Sequence, residues 1–145
     1  MLHRLVAAPS PTAQALGLLV LRLGIGLPLA LAHGLGKLPP SDGFIEGTAA
    51  LGFPLPVVFA WAAALAEFAG GLLLALGLLT RPAAAFVLVT MAVAVFGAHG
   101  GDPFGDRELA LLYGVGAAVL GLLGAGRISL DALLARRTRV AAYMR

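Results

Sequence analysis

The chain has 145 residues, of which 60% are hydrophobic and 12% charged, with a net charge of +3. A soluble globular domain carries about 25% charged residues, so the composition points to an all-α polytopic membrane protein with length for one bundle. The chain has no cysteine, which removes disulfides, thiolate catalysis, Fe–S clusters and cysteine-type zinc sites.

Residues 1–14 form a short leader with His3, Arg4, Pro9 and Pro11. The first span is expected over about 15–33, interrupted by Arg22. Ala30-Leu31-Ala32 resembles a signal-peptidase site, but an arginine in the middle of the apolar run argues for a retained span. That span holds ten Leu, Ile or Val residues. Each contributes about −0.3 to −0.6 kcal/mol to insertion, and Arg22 opposes them with about 2.5–3.5 kcal/mol. Arg22 therefore needs a partner. Residues 33–53 form the longest polar connection. Pro39-Pro40 stop a helix there, and Ser41 or Asp42 can cap a short one. Phe44, Ile45, Thr48 and Leu51 follow at helical spacing, the pattern of an amphipathic helix on the membrane surface.

The second span is expected over about 55–79 and contains Glu67 near its middle. A hydrocarbon core takes about 20 apolar residues to cross, and an ionised carboxylate at its centre is costly. Thr80-Arg81-Pro82 turns the chain, with Pro82 placed to open the next helix. The third span is expected over about 83–99 and the fourth over about 108–125. The tail from Gly126 begins amphipathic and ends basic, with four of the ten Lys/Arg residues in 136–145. Such a tail suits anionic lipid better than nucleic acid. The domain reading is one antiparallel four-helix bundle over 1–135, followed by a basic cytoplasmic tail.

Charge sets the orientation. Arg4, Arg81, Arg127, Arg136, Arg137, Arg139 and Arg145 fall on one side, Lys37 and Arg107 on the other. Both termini are therefore expected in the cytoplasm. Small residues mark packing faces at Ala62, Ala66 and Gly70, and at Ala117 and Gly121.

Arg22, Gly26, Leu29 and His33 are spaced to share one face of the first helix. Antiparallel packing of mid-span Arg22 and Glu67 places them at similar depth. His33, Lys37, His99 and Glu108 then lie above them, at helix ends. The expected site is a polar funnel with Glu67 and Arg22 as its core, the candidate catalytic pair, and all six residues as ligand contacts. Each also has a plain structural role open to it: ion pair, snorkelling lysine, helix-end histidine or helix-dipole partner. A quinone or similar ring needs an apolar slot, donors for its carbonyl oxygens and acid/base groups, and this set supplies them. Haem ligation by His33 and His99 is a further, weaker option. No metal site is expected.

Several stretches carry a family likeness. They are Leu21-Arg22-Leu23-Gly24 with His33-Gly34-Leu35-Gly36-Lys37, then Glu67-Phe68-Ala69-Gly70-Gly71 continuing through Gly77 to Thr80-Arg81. His99, Glu108-Leu109 and Gly124-Ala125-Gly126-Arg127-Ile128-Ser129-Leu130-Asp131 complete the pattern. Over about residues 16–133 the chain resembles the DoxX family of small four-helix membrane proteins. It departs at Ala125, where relatives often carry proline. The resemblance implies a membrane bundle and respiratory redox chemistry, since namesake members are associated with quinol oxidase or thiosulfate:quinone oxidoreductase, and others with membrane oxidoreductase complexes.

The expectation is an inner-membrane protein that binds a quinone-like ligand as a subunit of an oxidoreductase complex, unlikely to be active alone. A non-enzymatic scaffold or assembly factor held by an Arg–Glu pair is the second reading. A small oligomeric transporter is the third.

Overall fold

A computed structural model describes residues 9–143, with side chains through Arg137. The first eight residues and the end of the basic tail lie outside the described residues. Among the described residues the chain is helical throughout its regular structure. It is an all-α membrane protein.

Among the described residues, three helices are long and apolar enough to cross a membrane: α1, Pro11–Lys37; α3, Pro56–Leu76; and α4, Thr80–Ala98. Between α1 and α3 lies the short α2, Asp42–Ala50. The 20-residue α5, Phe104–Leu123, carries Asp106, Arg107 and Glu108 in its first turns and then runs apolar alongside α4 and α1 as the fourth bundle member. The final helix, α6, is Leu130–Tyr143.

Local chemistry explains the boundaries. Ser10 Oγ accepts from the Ala13 amide at 3.2 Å, with Pro11 at the first helical position, where its missing N–H costs nothing. α1 thus starts before the expected residue 15. Ser41 caps α2 in the same way, accepting from the Phe44 amide at 3.3 Å. Gly77, at φ +66°, ends α3 in the left-handed conformation that glycine adopts without penalty. α4 then begins at Thr80, so Pro82 falls within its first turn and not at its first position.

The helices run antiparallel in a register set by close backbone approach. A Cβ on Gly26 would collide with the Gly71 carbonyl, and Gly34 lies against the Glu67–Phe68 backbone. Rising numbers along α1 therefore meet falling numbers along α3. Ala84 meets Gly121 and Met91 meets Gly114 across α4 and α5. The shared core holds Leu29, Leu74, Val87, Met91, Tyr113 and Leu120. Phe86, Phe96 and Leu122 face outward, as side chains in contact with lipid do, and association then depends on close packing and polar contacts.

Candidate functional site

Glu67 is 3% exposed, and its partner is Lys37. The Lys37 Nζ lies 2.6 Å from Oε1 and 2.7 Å from Oε2. An ammonium has three donors, so the chelated carboxylate leaves one N–H of Lys37 free to reach another acceptor. The same ammonium stands 5.3 Å from the centroid of the Phe44 ring, a cation–π distance. The expected Arg22–Glu67 pair does not form.

The reason is helix register. Gly34 of α1 is level with Glu67, while Gly26 is level with Gly71 and Ala75. Arg22 is thus opposite Gly77 at the far end of α3. At 1.5 Å per residue, twelve residues separate Arg22 from the Glu67 level by roughly 18 Å. Arg22 is 1% exposed. Its Nη1 donates to the Ala125 carbonyl at 2.9 Å and its Nη2 to the Ile128 carbonyl at 2.6 Å. The sequence correctly demanded a partner for Arg22; that partner is the loop after α5. The arginine fixes the end of the bundle and belongs to neither a catalytic pair nor the ligand site.

Beside Lys37–Glu67 is a cavity of about 500 Å³ between α3 and α4, roofed by α2 and the segment that follows it. Ligand pockets generally occupy about 300–1,000 Å³, mostly apolar with a few placed polar groups. Phe44, Phe53, Phe59 and Phe86 line this one, four of the seven phenylalanines of the chain. Phe59 is 39% and Phe86 69% exposed, so the rim opens sideways toward the lipid. Thr48 and Thr90 also line it, but their hydroxyls donate to the Phe44 and Phe86 carbonyls at 2.8 and 3.0 Å. Its polar chemistry is left to Lys37, Glu67 and His99, which all line it. His99 Nδ1 is 2.8 Å from Asp102 Oδ2, a contact that orients the ring.

The other two expected contacts lie elsewhere. His33 stacks edge-on against Tyr113, with ring centroids 5.5 Å apart, and Glu108 is exposed on the first turns of α5. His33 packs on Tyr113 and His99 on Asp102. Tyr113 itself is buried, 6% exposed. Sequence reasoning passed over Tyr113, Asp102 and the phenylalanine walls. The phenylalanines on either side of the second span were the available signal.

The helical ladder widens in three places around this site: Leu29–Gly34, Ala66–Gly70 and Ala94–Ala98 each form a π-helical turn. The first contains His33, the second contains Glu67, and the third immediately precedes His99. π-turns insert an extra residue into a helix and often occur at functional sites.

The DoxX family model matches residues 17–100, a stretch holding most of α1, all of α2 to α4 and every polar residue of the cavity. The chain belongs to the DoxX family. It is also 33% identical over 128 residues to the inner membrane protein YphA of Escherichia coli strain K12, covering 82% of this chain and 91% of YphA. No solved structure matches it. The DoxX-family relationship, the apolar helices and the YphA match together support an inner-membrane protein.

Proposed function

We propose that this DoxX-family protein binds a quinone-like lipophilic ligand in the lateral cavity and serves as a subunit of a membrane oxidoreductase complex. The observation that carries the reading is the Lys37–Glu67 pair on the wall of an aromatic cavity open to lipid. A flat ring fits between phenylalanine faces, which favour stacked or edge-on contacts. The spare N–H of Lys37 suits a ring carbonyl oxygen, and a hydrogen bond from a charged donor is roughly twice as strong as a neutral one. Glu67 holds Lys37 in place and is the acid/base group nearest the ring. His99, steered by Asp102, offers the second polar contact. The chain's own residues bind and orient the ring, and a partner subunit supplies the electron acceptor or donor. In this reading both termini, and the Arg22 end of the bundle, face the cytoplasm, which the excess of arginine on that side supports.

The test is mass spectrometry and ultraviolet–visible spectroscopy of lipid-soluble extracts from protein purified in mild detergent, with Glu67→Gln alongside. The reading predicts a stoichiometric quinone in the wild type that is lost from the variant. An equal, sub-stoichiometric background in both would move the assignment to a scaffold.

A further inference from the structure

At the opposite end of the bundle the chain builds a latch. The Asp131 carboxylate accepts from the Leu79 amide at 2.8 Å and the Thr80 amide at 3.0 Å, and the Asp131 amide donates to the Gly77 carbonyl at 2.8 Å. Arg22, fixed to Ala125 and Ile128, supplies the neighbouring positive charge. Asp131 is the second residue of α6, so the latch ties the start of α6 to the first turn of the α4 span. That position is the start of the apolar α4 span.

α6 is 14 residues long, or about 21 Å at 1.5 Å per residue. Ile128, Leu130, Leu133 and Leu134 leave 45%, 37%, 47% and 49% of their surface uncovered. Leu130, Leu133 and Leu134 share one face by helical spacing. Arg136 and Arg137 are exposed on the next turn, and Arg127 is exposed just before the helix. The acid at the start of this segment, Asp131, is already engaged. The segment therefore offers an apolar stripe and a cluster of arginines, held beside the first turn of the α4 span.

We infer that α6 is a docking surface for anionic phospholipid headgroups of the bilayer that the bundle spans. It lies in the interface with Leu130, Leu133 and Leu134 toward the acyl chains; Arg136 flanks that stripe, and Arg137, which continues it one turn on, reaches the phosphates by snorkelling along its stem. Basic amphipathic helices bind this way. Each arginine near an anionic surface strengthens the contact by about fivefold. The Asp131 latch sets where along the bundle this contact is made.

The absence of native cysteine makes a site-specific test direct. The full chain is reconstituted in nanodiscs of phosphatidylcholine alone, or with phosphatidylglycerol, carrying a fluorescent label at Leu134→Cys or Arg136→Cys. With phosphatidylglycerol, the label at 134 should be quenched by brominated acyl chains and the label at 136 by aqueous iodide. Arg137→Gln in the 134-labelled protein should lower the phosphatidylglycerol dependence about fivefold. Circular dichroism of each variant shows whether its fold is retained. Equal iodide access at both positions, or quenching that ignores phosphatidylglycerol, would overturn the inference and leave this face to a protein partner.

Discussion

The chemistry of the site comes down to two residues. Glu67 is a carboxylate inside a span, and only its chelation by Lys37 makes an ionised form tolerable there. Removing one member of a buried pair strands the other, whereas replacing both with apolar groups is often neutral or stabilising. Lys37→Met should therefore destabilise the bundle by about 1–3 kcal/mol, at the low end for a buried pair because the Lys37 side chain is 36% exposed. Lys37→Met/Glu67→Leu should recover most of that loss in a detergent thermal-unfolding assay, yet bind no quinone. A double variant that still bound quinone would show the pair to be structural only. His99→Phe should weaken quinone binding by about three- to tenfold, as loss of one hydrogen bond does, with stability unchanged; equilibrium titration of reconstituted protein reads this out.

Glu67 stood out in the sequence because a charge within an apolar run has few explanations. Its partner did not, because Arg22 and Lys37 both lie on the first helix, and choosing between them requires the register. Sequence periodicity gives the face a residue occupies, but not the axial offset between two helices.

At the scale of elements, that offset is set by glycine. Gly26 and Gly71 bring the α1 and α3 backbones together, which fixes Lys37 at the depth of Glu67. Gly26→Leu should shift or separate the helices, costing about 3 kcal/mol or more, because backbone atoms cannot yield as side chains do. Loss of quinone binding and a lowered unfolding temperature should appear together. The three long apolar helices and the capped helix between the first two were legible from hydropathy, Pro39-Pro40 and Ser41. The three π-turns were not, since no residue in Leu29–Gly34, Ala66–Gly70 or Ala94–Ala98 announces an inserted turn. The cavity itself escaped the sequence because it lies between elements. Its phenylalanines come from α2, the following loop, α3 and α4.

The whole molecule is divided into two ends with different work. The Lys37 end holds the cavity, and the Arg22 end holds the loop after α5 and the start of α6. Burial pushes the Asp131 carboxyl up, but the Thr80 and Leu79 amides and the nearby Arg22 charge more than offset this and hold it below its ordinary value. A carboxyl with a depressed folded pKa stabilises the fold above its unfolded value, and the contribution fades as pH falls through the folded value. The latch should therefore weaken only under acid, at pH below the usual carboxylate range. Asp131→Asn should remove about 1 kcal/mol at neutral pH, as losing a helix cap does, and should flatten the acid limb. Melting temperature against pH checks both. Quinone binding at neutral pH should be spared, since the latch is remote from the cavity.

The most direct test of the central claim is photolabelling of the reconstituted protein with an azido-quinone, with the labelled residues found by peptide mass spectrometry. The account predicts saturable labelling within residues 44–67 and 86–99, competed by unmodified quinone and abolished in Lys37→Met/Glu67→Leu. Labelling that does not saturate, or that falls on α5 and ignores the double substitution, would contradict it.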